Sequence, residues 1–270
     1  MAKREKTKAE DLFFNFASTL DLSKHLANAK VSATFAKYIL SSQKKDVSSD
    51  YSTESYEEAD ERLKQGDRQN VGKIQKILRT AVLKGSGTST KTRSYVDVVG
   101  FAPHVPNFCA NVPQTMINQR VVRYKNTKVL NVLYNASVDW TVSNQKICET
   151  ASKVLSEIYS AEKRGYRINL YVAISSKSDS QYCTALLKIK SSEQYMDLLK
   201  VVYPMINPMF IRRHFFRLIE TTEGLNSGFT HGYGGVVKSQ SELMSKLPSG
   251  LKVDYYFDYY SVAKEGAKIK

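Results

Sequence analysis

Apolar and polar positions along the chain predict helices at its start and a mixed domain after them. Within residues 11–39, apolar side chains recur at the spacing of one helix face, which predicts one or two docking helices. Residues 41–55 are almost devoid of apolar side chains and are predicted to be a linker or an exposed loop. The pattern divides the chain into a helical N-terminal region with a polar linker, 1–54, and an α/β core domain with a basic C-terminal tail, 55–270.

The core domain combines predicted helices with predicted strands. Ser55 has the side chain of an N-cap, so a helix is expected to begin there and to end near Gly66. The longest helical pattern covers residues 143–165, where the sequence Lys-Arg-Gly suits a helix C-terminus. Strands are predicted where β-branched residues cluster, at 94–101, in two runs within 121–134, at 167–175 and at 183–190.

The order of these elements predicts the fold class. A strand, a long helix and a second strand follow one another between residues 121 and 175. This succession is typical of a crossover unit, in which a helix joins two parallel strands. We therefore expect an α/β protein with a Rossmann-like sheet flanked by helices and a helical N-terminal region.

The last third of the chain supplies four further segments. A helix is expected at about 192–203, and Asn207-Pro208 is typical of the start of another, which would run to about residue 221. The glycine-rich run at 228–235 predicts a mobile loop or tight turn. Residues 253–262 are rich in tyrosine and are expected to form an aromatic strand before the basic tail.

Charge indicates what the protein binds. The 40 lysines and arginines exceed the 26 acidic residues, for a formal net charge of +14. Such a charge attracts polyanions, so nucleic acid is an expected partner. The basic residues among the first ten fit a phosphate-binding arm or, more commonly, a solvated helix start.

Cysteine usage and hydropathy indicate an intracellular protein. The cysteines Cys109, Cys148 and Cys183 are odd in number, widely spaced and outside any metal-ligand pattern, which indicates reduced thiols. Residues 1–10 lack the apolar stretch of a signal peptide, and no apolar run reaches the ~18 residues of a membrane span. We expect neither export nor a membrane partner.

The chain lacks the common motifs of catalysis and metal binding. Its four histidines lie in separate segments without zinc-site spacing, and Gly-x-Ser-x-Gly is absent. The run at 84–92 is similar to a phosphate loop, but Thr90 stands where that motif needs Gly before Lys91. No catalytic residue and no cofactor is predicted. The missing motifs favour a protein without enzymatic activity, but they do not decide the question.

Two sequence segments indicate a protein family more specifically than the overall composition does. The first runs from Gly100-Phe-Ala-Pro103-His-Val105-Pro106 to Pro113-Gln-Thr-Met116, and the second is Asn207-Pro208-Met-Phe-Ile-Arg212-Arg213. Together, over about residues 55–221, they resemble a family of uncharacterised proteins encoded by tailed bacteriophages and prophages. Asn207 stands where that family usually has His, which weakens a ligand role for the position. The resemblance implies a viral protein in the host cytoplasm or in the virion, and it implies no mechanism.

The order of elements also resembles a von Willebrand factor A-type fold. In that fold the first core strand ends in Asp-x-Ser-x-Ser, whose carboxylate and hydroxyls hold a divalent ion. The corresponding residues here are Asn135-Ala136-Ser137-Val138-Asp139, so the carboxylate and the second hydroxyl are displaced. The resemblance implies a degenerate sheet with no bound metal. Ser137 and Asp139 are weak candidate ligands, and a strand end with a turn-forming Asn is the alternative interpretation.

Basic side chains are the candidate binding residues. Arg212 and Arg213 lie near a helix N-terminus, where backbone N–H groups attract anions and guanidinium groups bind phosphate through two hydrogen bonds. Adjacent helical residues point about 100° apart, so one of the two is expected to pair inside the fold instead. The tyrosines of 253–262 are compatible with base stacking, although Asp254 and Asp258 favour simple packing. The complete anion-binding set is Arg212, Arg213, Arg217, Lys128, Lys264 and Lys268.

These observations favour a phage-encoded, non-catalytic protein that engages nucleic acid, or a phage or host protein, through a basic surface. The alternative is a structural or assembly component of the virion, which contacts neighbouring chains through the N-terminal region and the tail. Both the binding role and the virion role are compatible with self-association into a homo-oligomer.

Overall fold

The computed structural model describes residues 11–38, 40–43, 55–72, 74–75, 90–123, 128–139 and 141–269. The strands are β1 (Leu12–Phe16), β2 (Thr90–Asp97), β3 (Ala102–Pro103), β4 (Met116–Arg123), β5 (Val129–Asn135), β6 (Arg167–Ser178), β7 (Gln181–Lys190), β8 (Gly235–Val236) and β9 (Tyr255–Asp258). The helices are α1 (Thr19–Asn28), α2 (Tyr56–Gln65), α3 (Val105–Cys109), α4 (Asn144–Lys163), α5 (Leu198–Ile206), a π-helical turn (Phe210–Phe215) continuing into α6 (Phe216–Thr221), α7 (Gln240–Met244) and α8 (Tyr259–Glu265).

A mainly parallel central sheet, flanked by helices, organises the fold. Its strand order is β1-β7-β6-β5-β9, and the short β8 pairs with β6. β5 is parallel to both β6 and β9, β1 is parallel to β7, and β6 and β7 form an antiparallel pair. The predicted α/β class and Rossmann-like sheet are confirmed, because α4 joins the parallel strands β5 and β6 as a crossover helix.

The long helix α4 forms where its apolar pattern predicts it. Ile147, Val154, Leu155 and Ile158 are all buried, so one face of the helix packs into the core. The chain leaves the helix through Gly165, whose φ of 98° lies in the left-handed region that glycine tolerates. The predicted span of 143–165 is confirmed to within two residues at either end.

The N-terminal segment differs from its prediction. Residues 12–16 form an edge strand of the central sheet instead of a helix, and within residues 11–38 the α-helix is limited to Thr19–Asn28. The apolar spacing over 12–20 fits a helix face, but the same residues also fit a half-buried strand, and pairing with β7 decides between the two. The helix then starts at Ser18, whose side chain accepts a hydrogen bond from the backbone N–H of Asp21 at 3.1 Å.

Two further helix boundaries were mistaken. The aromatic segment 253–262 is a strand only over Tyr255–Asp258, after which Asp258 caps α8 through a capping box with Ser261. The helix expected at 192–203 begins at Leu198, because Asp197 accepts from the N–H of Leu199 at 3.1 Å and caps it there. Tyrosine has a high β-propensity, so the tyrosines on both sides of Asp258 predicted a continuous strand, and the N-cap at Asp258 was not recognised.

Other predicted boundaries are confirmed. Ser55 caps α2 by accepting from the N–H of Glu58 at 3.2 Å, and the helix ends at Gly66. Asn207 accepts from the N–H of Met209 at 3.0 Å and begins the helical segment that ends at Thr221. Most of the polar linker, residues 44–54, lies outside the described residues, as do residues 1–10 and the loop at 84–89.

A second, smaller sheet is separate from the central one. The strands β2, β4 and β3 pair antiparallel in that order. We call residues 90–123, which comprise these strands and α3, the outer sheet. None of the residues from Ser94 to Gln119 is buried, so the side chains described in this sheet form no hydrophobic core.

Within the described part of the chain, no helix is both long enough and apolar enough to cross a lipid bilayer.

Candidate functional site

A cleft of about 660 Å³ lies at the carboxyl ends of β5 and β6. Residues 137–139 and 174–176 line it from these two strands, and Val142 and Ile147 line it at the start of α4. The opposite wall comes from the π-helical turn and from the glycine-rich loop at 232–236. The carboxyl ends of parallel strands are where open α/β sheets commonly bind ligands.

Hydroxyl groups tie the two strand ends together at the base of the cleft. Ser137 Oγ accepts a hydrogen bond from the N–H of Ser175 at 2.9 Å, and Asn135 Oδ1 accepts from the N–H of Ser137 at 3.0 Å. Ser175 Oγ in turn lies 2.7 Å from Thr184 Oγ1. The sequence Asn-x-Ser at the end of β5 therefore has a structural role in joining β5 to β6.

Asp139 is held by two side chains at the rim. Lys238 Nζ forms an ion pair with its carboxylate, and Tyr260 Oη donates to Oδ2 at 2.9 Å. The hydrogen bond from Lys238, followed by that from Tyr260, lowers the pKa of Asp139 below its ordinary value. The carboxylate is thus ionised and neutralised by its lysine neighbour.

The weak metal candidates Ser137 and Asp139 both line the cleft, but each is already engaged by protein groups. Among the described residues, no group of three or more His, Cys, Asp or Glu side chains is placed to hold a metal ion. Asp139 is the one carboxylate in the cleft lining, and a hard divalent cation takes six or more oxygen ligands.

Arg212 enters the cleft from the π-helical turn. The π-helical turn sends neighbouring arginines to different places: Arg212 is half-buried in the cleft lining, whereas Arg213 is buried and donates to the backbone carbonyl of Ser41. One arginine of the pair therefore bonds inside the fold, to a backbone carbonyl instead of the expected acidic side chain, and the other lines the cleft. Arg213 has no access to the cleft.

The amino end of α4 adds a second source of positive potential. Ser143 is the N-cap residue, but its side chain makes no capping hydrogen bond, and the first turn contains no acidic residue. The first N–H groups of a helix lack partners within the helix and carry the positive end of its dipole. In this helix of 20 residues, Ile147 in the first helical turn and Val142 just before the helix line the cleft, so the amino end of the helix is close to it.

The glycine-rich loop closes the cleft with a strained backbone. Gly232, Tyr233 and Gly234 all have positive φ, at 87°, 64° and 80°. The ring of Tyr233 stacks on Phe216 with centroids 3.9 Å apart, and its hydroxyl donates to Glu220 at 2.7 Å. The predicted tight turn is confirmed, and Tyr233 and Lys238 are site residues that the sequence patterns missed.

The remaining predicted basic residues lie elsewhere. Arg217 donates to the carbonyl of Ala29 at 3.5 Å and lies 3.9 Å from Glu220, so it faces the N-terminal segment. Lys128 precedes β5 at its amino end, and the exposed Lys264 and Lys268 belong to α8 and the tail. That tail returns to the end of α4, where Arg164 donates to the carbonyl of Ile269 at 2.6 Å. The predicted set therefore does not converge on one surface.

A family model for a domain of unknown function, DUF7192, matches residues 4–269. The chain belongs to the DUF7192 family. The DUF7192 match includes the cleft, the outer sheet and the position 54/55 at which the sequence predicts a domain boundary. No curated protein and no solved structure matches the chain.

The histidines and cysteines of this DUF7192 protein lie away from the cleft lining. His104 Nδ1 accepts from the N–H of Asn107 at 3.4 Å, and Cys109 is exposed on the outer sheet. Cys183 is buried, which raises the pKa of its thiol to about 12. All three cysteines are free.

Proposed function

We propose that this DUF7192 protein is a non-catalytic binding protein that holds a phosphate-bearing nucleotide unit, free or within a nucleic acid, in its cleft. The observation that carries the proposal is the approach of Arg212 and the amino end of α4 to one cleft. A guanidinium group binds phosphate oxygens through two hydrogen bonds, and helix N–H groups bind the same anion.

The electrostatics of the cleft favour an anion. Arg212 contributes a positive charge to the lining, and the negative charge of Asp139 is neutralised by its ion pair with Lys238. The helix dipole adds a positive partial charge. A phosphate group therefore finds net positive potential there.

The rest of the lining suits the apolar part of a nucleotide. Ile147, Ile174 and Phe215 provide apolar wall, and the strand-end hydroxyls provide polar contacts. Small-molecule sites are typically lined this way and measure about 300–1,000 Å³. The volume and lining match a ligand of nucleotide size.

The lining favours binding over catalysis. Among the described residues that line the cleft there is no histidine or cysteine, and the one carboxylate, Asp139, is paired with Lys238. A general base or nucleophile needs a free group within reach of the substrate. We include a bacteriophage origin in the proposal on the basis of the resemblance over residues 55–221 alone.

Calorimetric titration with adenosine 5′-monophosphate tests the proposal, with adenosine as the ligand that lacks only the phosphate. Arg212→Gln is expected to weaken binding of the monophosphate about ten- to a hundred-fold, since a charge-assisted contact contributes roughly 1.5–3 kcal/mol. Lys264→Gln, which removes an exposed cation outside the cleft lining, is the matched control and should leave the affinity unchanged. Equal binding of adenosine, or an equal loss in both variants, would exclude the cleft as a phosphate site.

A structural or assembly role in a virion is the second candidate. It is favoured by the exposed apolar side chains between Tyr95 and Val112, since patches of this kind commonly mark protein contacts. Mass spectrometry of purified particles separates the two roles. A stoichiometric amount of the protein in the particle supports assembly, and its absence from the particle supports the binding role.

A further inference from the structure

One residue of the cleft wall, Tyr233, has a backbone conformation that needs support from its surroundings. Its φ of 64° lies in the left-handed region, which is unfavourable for a residue with a side chain. Such a conformation persists only where other contacts maintain it. Gly232 and Gly234 on either side also have positive φ, which glycine adopts without strain. Loss of the supporting contacts would therefore let Tyr233 relax and displace the glycine-rich loop.

One support for Tyr233 comes from the N-terminal part of the chain. The ring of Phe35 lies nearly parallel to the ring of Tyr233, with 10° between their planes and 6.1 Å between their centroids. Phe35 is buried and belongs to the segment that follows α1. We call residues 32–38 and 40–43 of this segment the strap. The strap thus contacts the cleft wall from outside the cleft.

A buried carboxylate connects the strap to the same tyrosine a second time. Glu220 is fully buried, and its Oε1 accepts hydrogen bonds from the hydroxyl of Tyr233 at 2.7 Å and from the N–H of Ser41 at 2.5 Å. The backbone carbonyl of Glu220 accepts from the N–H of Ser32 at 2.9 Å. A buried carboxylate that loses a hydrogen-bond partner carries the cost of its desolvation. The positions of the strap and of Tyr233 therefore depend on each other.

The strap is attached to the rest of the protein at few points. Its described residues form turns and contain neither a helix nor a strand. The buried residues of the strap are Ser32, Phe35 and Ser41, and these are the same three that contact Glu220 or Tyr233. Segments with few buried contacts open locally at a lower free energy than the core of a protein does. The strap can therefore detach while the central sheet stays folded.

We propose that the strap regulates the cleft: while docked on Glu220 it keeps the glycine-rich loop in the ligand-binding position, and its release frees the loop. The inference rests on the proposed function, because it concerns the same cleft. Among the described residues, none of the strap lines the cleft, so the strap and a ligand influence each other through Tyr233. Linkage requires that a ligand which favours the docked strap strengthens docking by the same factor by which docking strengthens ligand binding.

Hydrogen–deuterium exchange without ligand tests the coupling first. Phe35→Leu keeps an apolar side chain but removes the ring contact, so exchange of residues 232–236 should become about two- to ten-fold faster, the range for one aromatic pair. Tyr233→Phe removes the hydroxyl that Glu220 accepts and should speed exchange of the strap about two- to ten-fold, the range for one hydrogen bond. Exchange of β5 in the same samples is the reference for a general loss of stability.

Tyr182→Phe is the matched control for the hydroxyl. Tyr182 Oη also donates to a buried-side carboxylate oxygen, that of Glu242, and neither residue belongs to the cleft lining or the strap. The variant therefore loses the same kind of hydrogen bond at another place in the fold. Exchange of the strap and of residues 232–236 should be the same as in the unaltered protein.

Saturation with adenosine 5′-monophosphate tests the regulation. The nucleotide should slow exchange of the strap about five-fold or more, the lower end of usual coupling factors. A purely structural role of the strap predicts no such effect, because the strap does not line the cleft. The slowing should disappear in the double variant with Phe35→Leu and Tyr233→Phe, which lacks both contacts.

The outcomes separate this inference from the proposed function. If Phe35→Leu leaves residues 232–236 unchanged, if Tyr233→Phe leaves the strap unchanged, or if β5 exchanges faster by the same factor, the coupling is wrong whatever the cleft binds. Nucleotide binding without slower exchange of the strap would overturn the regulation and leave the proposed function intact. Absence of nucleotide binding would overturn the proposed function, and the ligand-free comparison would then decide the coupling by itself.

Discussion

Arg212 and Arg213 are neighbours in the sequence but lie in different environments. Arg212 lines the cleft, whereas Arg213 is 3% exposed and donates to the carbonyl of Ser41. The π-helical turn that separates them has the single-turn form often found at functional sites. The proposed function therefore assigns ligand binding to Arg212, whereas the buried Arg213 contributes to the fold.

Stability measurements should separate the two arginines. Arg213→Gln is expected to lower the free energy of unfolding by about 2–3 kcal/mol, because a buried charge-assisted hydrogen bond is lost. Arg212→Gln should lower it by less than Arg213→Gln does, because Arg212 is half-buried in the cleft lining whereas Arg213 is buried. Urea titrations of both variants give the comparison, and a larger loss in Arg212→Gln would contradict the assignment.

His214 is fully buried among aromatic rings beside Asp60. Tyr203 Oη lies 3.4 Å from Nδ1, and Asp60 Oδ1 lies 3.8 Å from Nε2. Burial lowers the pKa of His214 below its ordinary value of 6.5, against the opposing effect of Asp60. The folded protein therefore keeps this imidazole neutral at pH values where the unfolded chain protonates it.

This difference predicts a loss of stability in acid. As the pH falls below 6.5, the unfolded state takes up a proton at His214 that the folded state does not, so the free energy of unfolding falls by up to about 1.4 kcal/mol per pH unit. Asp60, whose pKa is lowered chiefly by His214, adds its own loss only at pH values below its ordinary 3.8. Urea titrations between pH 7 and 5 should show a flatter profile for His214→Phe. The exposed His231→Gln is the control, and an unchanged slope in His214→Phe would refute the explanation.

Among the secondary-structure elements, α4 and the start of α2 were predicted from local sequence patterns, whereas β1 depends on tertiary contacts. The apolar face of α4 repeats over five turns, which leaves one interpretation. Residues 12–16 fit a helix and a strand equally, and only the free edge of β7 selects the strand. The sequence pattern does not show which strand edges are unpaired in the folded protein, so these residues were wrongly predicted to be helical.

Two serine N-caps should differ in their contribution to stability. Ser55 accepts a capping hydrogen bond from Glu58, whereas the Ser143 side chain makes none. Ser55→Ala is therefore expected to cost about 1 kcal/mol, and Ser143→Ala close to nothing. Denaturant midpoints measure both variants, and equal costs would show that the side-chain bond at Ser55 contributes nothing.

For the whole molecule, the candidate site depends on contacts between distant parts of the chain. Ser137, Ser175, Arg212 and Tyr233 meet at the cleft although nearly a hundred residues separate the first from the last. The sequence identified Arg212 by its charge and Ser137 by a degenerate motif. It had no means of finding Tyr233 or Lys238, whose roles arise from the folded path of the chain.

The body of the protein should fold without most of the outer sheet. Ser94 and Gln119 are directly opposite one another, so residues 95–118 can be replaced by Asn-Gly, a two-residue hairpin turn. Because none of the removed residues is buried, the melting temperature should change by no more than about 3 °C. Circular dichroism with thermal melting measures this, and loss of a cooperative transition would show that the outer sheet supports the body.

The pairing of β1 with β7 has a consequence for how the molecule behaves in concentrated solution. β7 has ten residues, and β1 occupies the side of it that faces away from β6. An uncovered strand of that length is a template on which another polypeptide can add its own strand. A version starting at residue 18 should therefore join into dimers or longer polymers, visible by light scattering. On this argument, the five residues of β1 keep each molecule separate from its neighbours.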